Sequence, residues 1–242
     1  MPIESARVEY SAGSTVMKSF ISKPQKAEFA FPGVLVFPEW WGLTEYLELR
    51  TKQLAELGYV AMAVDMYGEG KIASDPAEAG SLMNGVLSKM EDGEARVLAA
   101  MDFLKTQSEV DANRLGAIGY CFGGAIVLHA ARKGWPLRAV ASFHGALGAN
   151  HQAESGDVHT KILVCHGEAD AMVTAENVQE FSGEMDRLGA DYVIKTYPDA
   201  LHGFTNPATT ALGQKYGIPV GYNESADRQS WEELKDFLSE HI

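Results

Sequence analysis

The stretch that most constrains the fold is Leu115-Gly116-Ala117-Ile118-Gly119-Tyr120-Cys121-Phe122-Gly123-Gly124-Ala125-Ile126-Val127-Leu128. Its first part reads as a buried strand and its last part as an apolar-periodic helix, and one reactive side chain, Cys121, stands between them. A side chain carried on so sharp a strand-to-helix turn sits in strained backbone, so the residues two before and two after it must lack bulk. Gly119 and Gly123 meet that demand. Cys121 would then stand at the first turn of a helix, where the dipole and the unpaired N–H groups favour an anion. The expectation is a nucleophilic thiolate at Cys121, with partners to be supplied by the rest of the chain.

The 242 residues, 46% of them hydrophobic, suffice for a large core, and the expectation is a single domain over residues 1–242. No apolar window reaches the roughly eighteen residues of a membrane span, and Met1-Pro2-Ile3-Glu4 does not open like a signal peptide. A soluble, cytoplasmic protein is expected. A formal net charge of −13 argues against nucleic-acid or anionic-membrane partners. The two cysteines, Cys121 and Cys165, fall in different predicted elements, so no structural disulfide is expected.

In chain order, Ile3 to Tyr10 and Thr15 to Ser22 read as an antiparallel hairpin around Ser11-Ala12-Gly13-Ser14. From Gly33 onward apolar strands alternate with amphipathic helices, the pattern of βαβ crossovers and a mainly parallel sheet. The strands are expected at Val34 to Phe37, Tyr59 to Val64, Leu115 to Tyr120, Ala139 to Phe143, Ile162 to His166 and Tyr192 to Tyr197. Helices are expected near Glu45 to Leu57 with Gly58 as the stop, Pro76 to Lys89, Gly93 to Thr106, Gly124 to Arg132, Ala175 to Leu188 and Ser225 to Glu240. The fold class is therefore α/β, with a mainly parallel central sheet, an N-terminal antiparallel hairpin and helices on both faces.

Functional groups in such sheets collect beyond the carboxyl ends of the strands. After the first parallel strand comes Pro38-Glu39-Trp40-Trp41-Gly42, where the Trp40 N–H is a candidate oxyanion donor beside that of Phe122. After the second, Asp65-Met66-Tyr67-Gly68-Glu69-Gly70-Lys71 fails as a phosphate loop, since Asp65 replaces the first glycine and Ile72 the Ser or Thr. Tyr67 is read as a candidate pocket wall. Further along, His166-Gly167-Glu168-Ala169-Asp170 places Asp170 where a triad acid would orient an imidazole. Among the seven histidines, His202 in Leu201-His202-Gly203-Phe204 alone follows both nucleophile and acid. His144 and His166 end strands and are read as hydrogen-bonding or packing near the site. No metal-ligand spacing and no dinucleotide fingerprint appears, so neither metal nor cofactor is expected.

Taken together, Pro38-Glu39-Trp40-Trp41-Gly42, Gly119-Tyr120-Cys121-Phe122-Gly123-Gly124, His166-Gly167-Glu168-Ala169-Asp170 and His202-Gly203-Phe204 resemble the dienelactone hydrolase family, cysteine-nucleophile members of the α/β-hydrolase fold. The resemblance spans almost the whole chain. It implies Cys121 as nucleophile, His202 as base, Asp170 as its orienter, the Trp40 and Phe122 N–H groups as the oxyanion hole, and Glu39 as a carboxylate that helps generate thiolate when substrate arrives. One departure concerns substrate. The resemblance implies an arginine shortly after His-Gly-Phe to hold a substrate carboxylate, whereas this chain reads Thr205-Asn206-Pro207. The expected function is hydrolysis of a small carboxylic ester or lactone through a thioacyl-enzyme, by a monomer or weak homodimer. Trp41, Tyr67, Phe204 and Tyr222 are expected to line the substrate pocket. A general carboxylesterase or thioesterase on a neutral substrate is one alternative, and a redox-responsive thiol protein that never turns over is another.

Overall fold

A computed structural model of the chain describes residues 1–25 and 29–242. Among them the strands are β1 (Ile3–Ala12), β2 (Thr15–Pro24), β3 (Phe31–Phe37), β4 (Val60–Ala63), β5 (Val110–Tyr120), β6 (Ala139–Phe143), β7 (Lys161–Gly167) and β8 (Tyr192–Tyr197). The helices are α1 (Glu45–Glu56), α2 (Pro76–Leu87), α3 (Met90–Lys105), α4 (Phe122–Arg132), α5 (Ala175–Leu188), α6 (Thr209–Tyr216) and α7 (Glu224–His241). The sheet order is β1-β2-β4-β3-β5-β6-β7-β8. β2 pairs antiparallel with β1 and β4, whereas β3 with β4, β6 with β7 and β7 with β8 are parallel. This is the expected α/β architecture. The chain divides into two compact units, Met1–Ala117 and Ile118–Ile242.

In the first unit the hairpin is tighter than its sequence suggests. Ala12 pairs with Thr15, which leaves a two-residue turn at Gly13-Ser14, and Gly13 takes φ +58°. α1 buries Leu47, Thr51, Leu54 and Ala55, one stripe at helical spacing, against β2, β4 and β3. It stops where the sequence predicts, at Gly58 with φ +100°. In β3, Val34, Leu35, Val36 and Phe37 are all buried, as a strand covered on both faces requires. Each such side chain contributes about 2 kcal/mol by burial.

The turn after β4 is organised by Asp65, which is buried and accepts four backbone N–H bonds. Its Oδ1 takes those of Tyr67 at 3.0 Å and Gly68 at 2.8 Å, and its Oδ2 those of Gly70 at 2.8 Å and Lys18 at 2.9 Å. Four backbone donors compensate the buried carboxylate.

In the second unit β6 is buried along its whole length, α4 packs on β6, and α7 packs on β7 and β6. Element ends differ modestly from expectation. β5 begins five residues early at Val110, and α4 begins at Phe122, ahead of both glycines. One helix, α6, has no counterpart in the sequence reading.

Replacing Asp65 with Ala would strip the acceptor from four N–H groups. The expected loss is about 3 kcal/mol or more of unfolding free energy, read from urea denaturation. An unchanged urea midpoint would show that other acceptors serve this turn.

Candidate active site

The second unit carries Cys121 where the sequence predicts it, between β5 and α4, with φ 53° and ψ −112°. An L-residue adopts such a conformation only under constraint, at a cost of about 1–3 kcal/mol. The constraint is visible on both sides. A Cβ at Gly119 would lie 2.0 Å from the Gly123 carbonyl oxygen, so only glycine permits strand and helix to close. The Cys121 N–H donates to the Phe143 carbonyl at 3.0 Å, tying the turn to the end of β6. Gly124 is equally constrained, because its Cβ would meet Ser142 Oγ at 2.6 Å and Gly145 Cα at 2.8 Å. Cys121 stays partly exposed. Phe122 opens α4.

Asp170 follows β7 in a tight loop. Its Oδ1 accepts the N–H groups of Met172 at 2.8 Å and Val173 at 3.1 Å, and its Oδ2 accepts from His202 Nδ1 at 2.8 Å. Because a carboxylate only accepts, Nδ1 carries a proton toward Asp170. Nε2 is buried, and the Cys121 sulfur lies close to the ring. Burial opposes a charged imidazole at His202. The Cys121 sulfur and the Asp170 carboxylate outweigh it and push the pKa up to about 10.

Three further supports hold His202. His144, buried at the end of β6, sets its ring edge-on to that of His202 with centroids 5.2 Å apart, and its Nε2 meets Thr205 Oγ1 at 2.9 Å. The segment after α6 straps the same loop: the Gly221 N–H donates to the His202 carbonyl at 3.1 Å and that of Asn223 to the Phe204 carbonyl at 3.1 Å. His166 lies on the Asp170 side. Burial pushes its pKa below the ordinary histidine value, against the pull of Asp170 and Glu168. The strap was beyond sequence reasoning, because α6 is short and Gly221 and Asn223 act through backbone groups. The packing role read for His144 and His166 agrees with what is observed.

The remaining predicted residues fall into two groups. Phe204 is fully buried, packed between His144 and Tyr197 with centroids at 5.3 and 5.2 Å, so its ring underlies the histidine loop. Tyr222 is half-buried in the strap and donates from its hydroxyl to Asp227 at 3.2 Å. In the first unit the loop after β3 gathers Glu39, Trp40 and Trp41. Glu39 and Trp41 are buried, and the two indoles meet edge-on at 5.2 Å. The Glu39 carbonyl accepts the Gly42 N–H at 3.1 Å, which makes a turn with Gly42 at φ +93°. Tyr67 joins this loop, its hydroxyl donating to the Trp40 carbonyl at 2.7 Å. Among the described residues no cluster of His, Cys, Asp and Glu could hold a metal ion, and no helix is long and apolar enough to cross a membrane.

Similarity to known proteins agrees with this geometry. The sequence pattern of the Dienelactone hydrolase family matches residues 17–242. Protein usf of Aquifex pyrophilus is 30% identical over 206 residues, covering 82% of this chain and 86% of that protein. A dienelactone hydrolase-like promiscuous phosphotriesterase from metagenomic libraries shares 33% identity at a TM-score of 0.90, covering 99% of this chain and 98% of its own. A solved protein named m3DLH shares 33% identity at a TM-score of 0.93, covering 99% of both chains. With its elbow, its Asp170–His202 pair and a family match over nearly its whole length, the chain belongs to the dienelactone hydrolase family and is a hydrolase of the carboxylic ester and lactone type.

Proposed function

We propose that the protein hydrolyses a small, uncharged carboxylic ester or lactone through a thioacyl-enzyme, with Cys121 as nucleophile, His202 as acid and base, and Asp170 as the group that orients His202. The observation that carries this reading is the Asp170–His202 hydrogen bond of 2.8 Å with the strained Cys121 beside the same ring. The Cys121 thiolate adds to the carbonyl carbon, and the oxygen takes the negative charge. The Phe122 N–H and, by the pattern of the family, the Trp40 N–H stabilise that oxygen, each contributing about 3 kcal/mol to the barrier reduction. Collapse breaks the carbon–oxygen bond, and the Nε2 proton of the His202 imidazolium passes to the departing alkoxide. The neutral imidazole then takes a proton from water, whose oxygen attacks the thioester, and collapse returns the thiolate. Glu39 is assigned the family's part in generating the thiolate, and Trp41 and Tyr222 are assigned contacts with substrate. No cofactor enters any step.

The preference for an uncharged substrate rests on the loop beyond His202. Thr205 and Asn206 are buried there, with the Thr205 hydroxyl on His144 and Asn206 Oδ1 accepting the Ala208 N–H at 3.0 Å. These side chains offer no cation to a carboxylate. A second reading, attack of the same thiolate on a phosphotriester, is favoured by the 33% identity to the metagenomic phosphotriesterase. A p-nitrophenyl phosphotriester that releases p-nitrophenol only when Cys121 is present would support it.

Cys121→Ala should lower turnover of a neutral p-nitrophenyl ester by about a thousandfold or more. Turnover near the wild-type rate in that variant would remove the thiolate mechanism. On the intact enzyme, kcat/KM for the neutral ester should exceed that for a carboxylate-bearing dienelactone by about tenfold, and the reverse order would sink the uncharged-substrate reading. The pH profile follows from the raised pKa of His202. For an alkyl ester, whose alkoxide needs the Nε2 proton to leave, that proton is present below about 10, so kcat/KM should hold through neutral pH and fall as pH rises through that value. Asp170 raises this pKa, so Asp170→Asn should move the alkaline fall to lower pH as well as reduce the rate. An alkaline limb that stays in place would show that Asp170 does not act on the imidazole.

A further inference from the structure

The aromatic residue after β4 gains a different role once its hydroxyl is located. Tyr67 is only 5% exposed, which leaves little ring surface for a substrate. Its hydroxyl is committed to the Trp40 carbonyl at 2.7 Å. The same ring lies against the turn it bonds, since a Cβ on Gly42 would come within 3.3 Å of Tyr67 Cδ2. The turn is therefore held at each of its carbonyls. That of Glu39 accepts from Gly42, that of Trp40 from Tyr67, and that of Trp41 from the Ala73 N–H at 2.9 Å.

These anchors fix a direction. In a planar trans peptide the C=O and the following N–H point opposite ways. With the Glu39 carbonyl turned inward to Gly42, the N–H of Trp40 is turned out of the turn. The next peptide plane is free to rotate about the Trp40 Cα unless its own carbonyl is held, and Tyr67 holds it. The anchor itself is fixed, because Asp65 Oδ1 accepts the backbone N–H groups of Tyr67 and Gly68, and its Oδ2 clamps Gly70 and Lys18. A buried carboxylate thus fixes a phenol, and the phenol fixes a peptide.

We infer that Tyr67 is a positioning residue for acyl transfer, one that keeps the Trp40 N–H aimed as an oxyanion donor and does not act as a wall of the substrate pocket. The inference rests on the hydrolase reading above, in which that N–H receives the developing charge. Donors of this kind help only when preorganised, because a donor that must reorient during the reaction loses much of its advantage.

The test separates a step that needs an oxyanion donor from one that does not. Acylation of Cys121 by a p-nitrophenyl ester passes through an oxyanion, whereas its alkylation by iodoacetamide is a direct displacement at carbon and forms none. Tyr67→Phe keeps the ring and removes only the hydroxyl. It should slow the p-nitrophenol burst about tenfold with KM nearly unchanged, while iodoacetamide alkylates Cys121 within about twofold of the wild-type rate. A burst within twofold of wild type would overturn the inference, as would a rise in KM with an unchanged burst, which is the signature of a pocket wall. Equal slowing of acylation and alkylation would also overturn it, since that would report a general disturbance. Tyr67→Leu, which lacks ring and hydroxyl alike, should reproduce the acylation loss. A burst retained in Cys121→Ala would instead remove the nucleophile reading on which the inference stands.

Discussion

At the end of β5 the chain turns into α4 with no room for a Cβ at Gly119, 2.0 Å from the Gly123 carbonyl oxygen, and the site of the second unit depends on that contact. If strand and helix stood further apart, Cys121 could relax to an ordinary conformation and its sulfur would swing away from His202. Held together, they force φ 53° on a residue that is not glycine, and the cost of about 1–3 kcal/mol is borne by neighbouring packing. Gly124 extends the same requirement to the next turn, where α4 passes over Ser142 and Gly145. Two glycines admit Cys121, and a third seats the helix that carries it.

Beside that fixed sulfur, His202 is held by bonds that leave it few degrees of freedom. His202 is bonded by its ring to Asp170, by its carbonyl to Gly221, and is faced by His144, itself tied to Thr205. The result is an imidazole whose pKa is raised in a buried place, where burial alone would lower it. His166 shows the contrast. Also buried, it lies under the same acidic influence but without a comparable charged partner, and its pKa falls. The opposite directions of these neighbours follow from the Cys121 and Asp170 contacts that His202 has and from the charge of His202 that also lowers His166.

Much of this was legible in the sequence. Gly119 and Gly123 bracket Cys121 at the spacing that sterics demand, and Asp170 and His202 follow strands in an order that leaves few other assignments. The local signals sufficed because each residue sits at an element end that its own neighbours mark. Where function depended on pairing between distant segments, the sequence was silent. Nothing near Tyr67 announces that its hydroxyl reaches the Trp40 carbonyl, so it reads as one more aromatic. The strap at Gly221 and Asn223 works through backbone groups, which carry no sequence signal, and α6 is eight residues with weak amphipathicity. Phe204 reads as a wall because it neighbours His202, yet its ring is fully buried against His144 and Tyr197.

Two aspartates show how close structural and chemical roles lie. Asp65 and Asp170 each follow a strand, each is buried, and each uses Oδ1 to accept N–H groups two and three residues ahead. Up to that point they are the same turn. They part at Oδ2. In Asp65 that oxygen is saturated by the backbone of Gly70 and Lys18, so the carboxylate is a fixed structural centre with no capacity left for a titrating partner. In Asp170 no backbone donor closes on Oδ2, and the vacancy is filled by a ring that can gain and lose a proton. A backbone donor reaching Oδ2 of Asp170 would convert it into a second Asp65, and the imidazole would lose its orientation along with much of its charge. The difference between a scaffold aspartate and one that holds an imidazole here is the destination of one lone pair.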